Sequence, residues 1–474
     1  MLLRREQLSL ASPSRSSCLL GCALAALLAV GAAGLQSPPP EEHGEAGVHV
    51  VKLWQEKSPV FTSSSTSAIA FRVTYLGRVR IGNPPQEFTI MFDTGSGQVI
   101  VPDSTCQSKA CARHLRFDAS ASNTSKLARL NGQHLPPTMR PERVSIGFGV
   151  GSVSGNVVRD MICSASASEG RLELAAGSSG AACARMNLVV ATELSPNPFG
   201  VFPFDGIIGL GLPPLSLTPE FGFFQAMRRA GVLRENKFSV WLAEGGDGSE
   251  IALGGMNQEQ LASPVQWSPV VLPQQGHWQI EMLGFHVGNI TLDICRQGGC
   301  RGVVDSGTSH IAIPSPHESD VVDLLTLDPE AVAAGDISDC RHLDNYPTII
   351  IELRDFNLTL YPEDYMRQLP VPVNIQLSAG TSNSTSTEKD EEEENENETE
   401  IPRACRPRVV GVSMPPEIGD KTFILGQSVL HRYYTVFDFD GPRVGFGLAA
   451  GRVESPHELE DFLRRRPPPL PAAP

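Results

Sequence analysis

Two short stretches of this chain, Phe92-Asp93-Thr94-Gly95-Ser96 and Val304-Asp305-Ser306-Gly307-Thr308, place an aspartate before a hydroxyl residue, a glycine and a second hydroxyl. An apolar run leads into each, Phe88-Thr-Ile-Met-Phe92 in one case and Gly302-Val-Val304 in the other. One such triplet is an ordinary turn aspartate. One in each half points to a duplicated unit that brings two aspartates together. Paired carboxylates run acid and base chemistry with a single kind of side chain. Held about 3 Å apart they cannot both ionise easily, so they share a proton over a broad acidic range. The ionised member can take a proton from water while the protonated one donates to a carbonyl oxygen. Water then adds to a peptide carbonyl without a metal or a covalent intermediate. The hydroxyls of Thr94, Ser96, Ser306 and Thr308 can hold the carboxylates in place, and Gly95 and Gly307 let the backbone turn tightly beside them.

Such a site needs a scaffold with internal repetition, and the repeat extends past the triplets. Gly206-Ile-Ile-Gly209 follows Asp93, and Phe423-Ile-Leu-Gly426 follows Asp305 at nearly the same separation. Two apolar residues and a glycine are a weak signal alone, since glycine in a strand often marks only a bulge or a close backbone approach. Recurrence at matched spacing makes the step informative. The boundary between the halves falls near Leu261 to Gln266. From Arg72 onward, short β-rich runs such as Tyr75 to Ile81, Glu87 to Phe92 and Tyr434 to Phe439 are separated by Gly, Pro and Asn. Helical periodicity is confined to Glu220–Ala230 and Ser319–Leu325, so the fold class is all-β, a sandwich or barrel architecture. Two segments read as insertions. Ser164 to Ala182 is rich in Ala, Ser and Gly, and Leu377 to Glu400 turns from Ser/Thr-rich to acidic, a composition that cannot bury a core.

The N-terminus reads as a secretory leader. Arg4, Arg5 and Arg15 precede an apolar stretch from Cys18 to Ala33 that ends in small residues, too short for a membrane span of about 20 residues. No later segment is apolar and long enough to cross a bilayer. Cys18 and Cys22 fall in the leader, and eight cysteines remain: Cys106, Cys111, Cys163, Cys183, Cys295, Cys300, Cys340 and Cys405. An even count behind a leader implies disulfides, with about 105 pairings open. The local pairs 106–111, 163–183, 295–300 and 340–405 are the natural choice. A zinc site on the two Cys-x4-Cys pairs is the rival, and the oxidising compartment weighs against it. Sequons at Asn123, Asn289, Asn357, Asn383 and Asn397 agree with a lumenal chain. The formal net charge of −15 is concentrated in the eight acidic residues between Asp390 and Glu400. With no basic stripe, nucleic acid is not an expected partner. No cofactor and no metal are expected, and a monomer is.

At this point the chain resembles the pepsin family of aspartic endopeptidases over Tyr75 to Ala449. The residues that carry the likeness are Ile81-Gly-Asn-Pro-Pro-Gln-Glu-Phe88 before the first aspartate and Val101-Pro102 followed by Cys106 and Cys111. Further on come Phe204-Asp-Gly-Ile-Ile-Gly-Leu-Gly211, His277-Trp-Gln-Ile280, Cys295 and Cys300 ahead of Asp305, Phe423-Ile-Leu-Gly426, and Tyr433-Tyr-Thr-Val-Phe-Asp438. The shared-proton scheme above is that family's chemistry, applied here. The likeness implies a bilobal fold, with Asp93 and Asp305 catalytic in a cleft between two related lobes. It also supports the disulfides 106–111, 295–300 and 340–405. Ser145 to Gly155 is similar to the β-hairpin flap that closes over substrate, which puts Phe148, Gly149, Val150 and Ser152 at a peptide. The family's flap tyrosine is replaced by Phe148 and its tryptophan partner by Ile100. Loss of both partners strands no buried donor.

The resulting organisation is a signal peptide over residues 1–33, a propeptide over 34–65, an N-terminal lobe over 66–262, a C-terminal lobe over 263–450 with an acidic insertion near 377–400, and a Pro/Arg-rich tail over 451–474. Val51-Lys-Leu-Trp-Gln-Glu-Lys57 is faintly similar to the family's basic prosegment, which makes Lys52 a candidate blocker of the two aspartates. The function expected is an acid-optimal aspartic endopeptidase, made as a zymogen and delivered by the secretory route to the exterior or to a vacuolar or lysosome-like compartment. The alternative is a protein of the same fold that binds peptides with little or no turnover. Intact triplets argue against that alternative. Metalloprotease and serine hydrolase readings lack a His-Glu-x-x-His or a Gly-x-Ser-x-Gly.

Overall fold

The computed structural model describes residues 3–4, 47–60, 70–148, 151–164, 182–243, 245, 248–326, 340, 343, 346–370, 403–452, 459, 462 and 463. Most of the leader, Gly149, Val150, most of the first insertion, all of the second and most of the tail therefore lie outside the described residues, as do Asn383 and Asn397.

The chain is built almost wholly from strands, as its short β-branched and aromatic runs demand. Two of them precede the first lobe proper: β1 (His49–Lys52) and β2 (Trp54–Val60). There follow β3 (Ala70–Ile81), β4 (Gln86–Asp93), β5 (Val99–Pro102), β6 (Arg143–Phe148), β7 (Gly151–Ser164), β8 (Cys183–Leu194) and β9 (Gly206–Gly209). They hydrogen-bond in the order β6-β7-β8-β5-β9-β4-β3-β2. A helix α1 (Phe223–Arg229) sits inside the stretch where helical periodicity appeared. Next come β10 (Lys237–Trp241), β11 (Glu250–Leu253) and β12 (Gln266–Pro269).

The second lobe uses β13 (Gln279–Met282), β14 (Cys300–Val304), β15 (Ile311–Pro314), helix α2 (Glu318–Leu325), β16 (Val409–Val412) and β17 (Thr422–Leu425). Its main sheet has the order β13-β14-β17-β15-β16. Helix α3 (Gln427–Arg432) then leads into β18 (Tyr433–Asp438) and β19 (Arg443–Leu448). A six-stranded sheet, ordered β12-β19-β18-β10-β11-β1, joins strands from both halves.

The duplication seen in the sequence is a duplication of pairing. In the first lobe β9 lies parallel to β4, with Ile208 opposite Phe92, and antiparallel to β5, with Ile207 opposite Ile100. In the second lobe β17 lies parallel to β14, with Leu425 opposite Val304, and antiparallel to β15, with Ile424 opposite Ala312. Every residue of β5, β9, β15 and β17 is buried. That is why these strands read as unbroken apolar runs and not as alternating ones. A single large cluster of buried apolar side chains, from Val51 to Phe462, runs through both halves.

Candidate active site

Each aspartate emerges from the buried end of its strand. Asp93 ends β4 opposite Gly209 of β9, and its carbonyl accepts from Leu210 N at 2.8 Å. Asp305 follows β14 directly, and its amide donates to Leu425 O at 3.0 Å. The recurring apolar-apolar-glycine steps are the floors on which the two aspartate loops lie. A Cβ at Gly209 would stand 2.5 Å from Gly97 N, and one at Gly426 would stand 2.3 Å from Thr308 O. No side chain fits either place.

The two loops grip one another by the same bonds in both directions. Thr94 Oγ1 donates to Val304 O at 2.9 Å and accepts from Ser306 N at 3.0 Å. Ser306 Oγ donates to Phe92 O at 2.8 Å and accepts from Thr94 N at 3.1 Å. All four residues bearing these groups are buried, so each bond satisfies a backbone group that water cannot reach. The grip sets the two aspartates facing each other. A Cβ on Gly307 would lie 2.4 Å from Asp93 Oδ1, and one on Gly95 would lie 2.9 Å from Asp305 Oδ1. Neither glycine has a positive φ. Their role is therefore different from the tight turn expected of them: they are bare so that each loop can reach the opposite carboxylate.

Within each loop the backbone orients its own carboxylate. Gly95 N donates to Asp93 Oδ1 at 2.9 Å, and Gly307 N donates to Asp305 Oδ1 at 2.8 Å. Thr308 Oγ1 donates to Asp305 Oδ2 at 2.7 Å. Its counterpart Ser96 is buried with its hydroxyl unpaired, and Asp93 Oδ2 receives no hydrogen bond from the described residues. Burial, and then the charge of Asp305, raise the Asp93 carboxyl from 3.8 to about 7. Burial pushes Asp305 the same way; the positive charge of the chain's N-terminus, and after it the bonds from Thr308 and Gly307, pull it below the ordinary value. The two buried carboxyls therefore titrate as a pair that favours one shared proton, which is what acid–base chemistry on two like groups requires.

A family model described as eukaryotic aspartyl protease matches residues 74–449. The chain belongs to this family. Among curated relatives, gastricsin of Cavia porcellus is 27% identical over 379 residues, covering 79% of this chain and 80% of its own. Cathepsin E of Mus musculus is 29% identical over 403 residues, covering 83% and 85%. Pepsin II-1 of Oryctolagus cuniculus is 28% identical over 394 residues, covering 82% and 85%. As a member of the family the protein is an aspartic endopeptidase, a hydrolase whose substrates are peptides.

The other residues singled out in the sequence fall into three groups. The disulfides form as the local pairs: Cys106–Cys111, Cys163–Cys183, Cys295–Cys300 and Cys340–Cys405. Cys163 and Cys183 lie directly opposite each other in the long β7–β8 hairpin. In the hairpin that the sequence likeness reads as a flap, Phe148 ends β6 opposite Gly151; Ser195 N donates to Ser152 O and Ser195 Oγ accepts from Ser152 N, each at 3.0 Å. Ile100 is buried beneath it, lining a hollow with Phe199, Phe202 and Phe204. Lys52 needs a correction. Its ammonium pairs with Glu250 Oε2 at 2.6 Å on the edge of the six-stranded sheet, with half its side chain in solvent. It does not block the aspartates, because the register of β1 on β11 commits it to the buried Glu250 carboxylate.

Several residues of the site carried no signal in the sequence. Ser309 Oγ and Gln427 Nε2 both donate to Val73 O, at 2.6 and 3.2 Å, tying the start of β3 to the second aspartate loop. Tyr75 OH meets His431 Nε2 at 2.8 Å and donates to Ala243 O at 2.9 Å, joining the lobes from below. Trp278 Nε1 donates across the lobes to Leu210 O at 2.9 Å. Its neighbour His277 is buried, which lowers its pKa to about 4 against the opposing pull of the Asp305 charge. The family-like motif His277-Trp-Gln-Ile280 marked the place, but nothing local to it shows that the histidine lies within reach of the second aspartate's field.

Proposed function

We propose that Asp93 and Asp305 are the catalytic pair of this endopeptidase and that they hydrolyse peptide bonds by activating water at acidic pH. The observation that carries the reading is the reciprocal grip of Thr94 and Ser306, which holds each loop's bare glycine against the other loop's carboxylate. In the active state Asp93 holds a proton and Asp305 is ionised. Asp305 accepts a proton from water as the water oxygen bonds to the peptide carbonyl carbon. Asp93 gives its proton to the carbonyl oxygen, and a neutral diol results. The proton on Asp305 passes to the amide nitrogen, the C–N bond breaks, and acid and amine products leave. One diol hydroxyl returns its proton to Asp93 as the new carbonyl forms, so the pair ends with the single proton it began with.

Thr94, Gly95, Ser96, Ser306, Gly307 and Thr308 support the pair, and Phe148, Gly149, Val150 and Ser152 cover an extended substrate that is cut between apolar residues. The protein acts as a monomer, without metal, cofactor or nucleic acid, in the secretory route or a compartment it feeds. No helix among the described residues is long and apolar enough to cross a membrane. The precursor carries a signal peptide over 1–33 and a propeptide over 34–65. Residues 47–60 of that propeptide pair with β11 and β3, so cleavage after residue 65 leaves them bound in the fold. Asn123 and Asn289 are exposed and open to glycosylation.

The test is cleavage of an unfolded protein across pH, with and without a pepstatin-type inhibitor, beside an Asp93→Asn variant. Activity is expected below about pH 7 and absent from the variant. Activity that survives the substitution sinks the mechanism.

A further inference from the structure

One cation in the wall of the cleft lacks an anion. Arg72, near the start of β3, is half-buried, and burial lowers its pKa. Among the described residues no carboxylate pairs with it. Its guanidinium lies instead over the ring of Phe202, 5.2 Å from the centroid. A partly desolvated guanidinium resting on an aromatic face alone is under-satisfied, because it retains several N–H donors with no acceptor.

Its position relates it to the site on two sides. On one side the next residue, Val73, receives the hydrogen bonds of Ser309 and Gln427, so Arg72 stands beside the loop that follows Asp305. On the other side Phe202 stacks on Phe204 at 4.7 Å and lines the hollow that includes Ile100. Ser195, next to Leu194 of the hollow, accepts through Oγ from the backbone amide of Ser152, beside the tip of the β6–β7 hairpin. Arg72 thus stands at the margin of the peptide groove, between the apolar hollow and the second aspartate loop.

The neighbouring charge has the same sign. His310 is half-buried in that loop, and the charges of both Arg408 and Arg72 act on it. Arg408 is buried and donates to Ser309 O at 2.7 Å. The one carboxylate lining the hollow, Asp205, is occupied by the amides of Thr89 and Leu115. Among the described residues, then, no carboxylate is turned to answer the Arg72 guanidinium.

We propose that Arg72 is a specificity-determining residue, which binds an aspartate or glutamate side chain of the substrate at a position flanking the scissile bond. The apolar hollow beside it takes a neighbouring apolar side chain. The inference rests on the aspartic endopeptidase reading. A guanidinium–carboxylate contact at a partly desolvated site is worth roughly ten- to hundredfold in kcat/KM, taken up mainly through KM.

The experiment uses peptide sets that differ only by Glu, Gln or Lys at each flanking position, cleaved at about pH 5.5, above the ordinary glutamate pKa of about 4.3. Affinities of the same peptides made with an uncleavable bond are measured in parallel. The parent is expected to favour Glu over Gln at one flank by roughly tenfold or more. In Arg72→Gln that ratio should collapse toward one, and in Arg72→Glu the preference should turn to Lys. Absence of a Glu preference, or one that survives in Arg72→Gln, overturns the inference. If no peptide is cleaved by the parent, the endopeptidase reading fails, and the Glu-to-Lys affinity ratio still decides the role of Arg72. Should Arg72→Glu not fold, Arg72→Gln and its affinity ratio decide alone.

Discussion

Substituting Thr94 by valine tests the grip between the two loops with little change of shape. Valine replaces the hydroxyl by a methyl and leaves two backbone groups bare: Val304 C=O loses a donor at 2.9 Å and Ser306 N–H loses an acceptor at 3.0 Å. Both are buried, and a stranded buried polar group costs about 1–3 kcal/mol. The expected loss of unfolding free energy is therefore about 2–6 kcal/mol, read from urea or guanidinium midpoints at constant slope. Activity should fall further than stability. If the aspartates separate by about 1 Å, the rate drops roughly a hundredfold, mostly in kcat. Thr94→Ser keeps the hydroxyl and should stay close to the parent in both assays. Ser306→Ala strands Phe92 C=O and Thr94 N–H in the same way and should cost about as much. In the double variant the penalties should fall short of their sum, because a grip opened on one side has less to lose on the other. A Thr94→Val protein within about 0.5 kcal/mol of the parent, below the cost of a single stranded group, would refute the reasoning.

Opposed contributions should leave stability nearly level between about pH 4 and 6. Burial and the Asp305 charge raise Asp93 from 3.8 to about 7, so its contribution is full below pH 3.8 and is lost as pH rises through about 7. Asp364, raised by burial to about 6, adds to the same slope. His277 and His310, lowered by burial from 6.5 to about 4, contribute fully above 6.5 and lose that contribution as pH falls through about 4. Melting temperatures should be nearly level between about pH 4 and 6 in the parent, and in Asp93→Asn should rise with pH over that range, because the histidine contributions are no longer offset by Asp93. A chain beginning at residue 47 should be as stable as the full chain. One beginning at residue 66 gives up the buried Val51 and Leu53, about 3–6 kcal/mol at 1.5–3 per side chain, visible as a lower melting temperature. Tyr75→Phe removes the hydroxyl that serves His431 and Ala243 O, and should cost about 1–3 kcal/mol of stability.

Several features could be read locally. The aspartate triplets, the apolar-apolar-glycine steps, the two helices and the four disulfides are each set by a few neighbouring residues or by matched spacing. Lys52 shows where such reading stops. Its basic segment resembled a blocker, but the partner that captures it, Glu250, is nearly two hundred residues away. Arg72 and His277 were silent for the same reason, since their significance depends on which loops fold against them.

The sequence by itself determined that two aspartates on equivalent strand ends would form one site, because period, burial pattern and glycine placement recur in both halves. Only the tertiary structure decided how the site is held and how deeply its two carboxyls are buried against each other. Those depend on hydrogen bonds and fields between residues more than two hundred positions apart, such as Thr94 with Val304 and Ser306. Gly95 and Gly307 show the difference most plainly. Their identity was legible as a turn, and their reason is a close approach between two loops that meet only when the lobes are assembled.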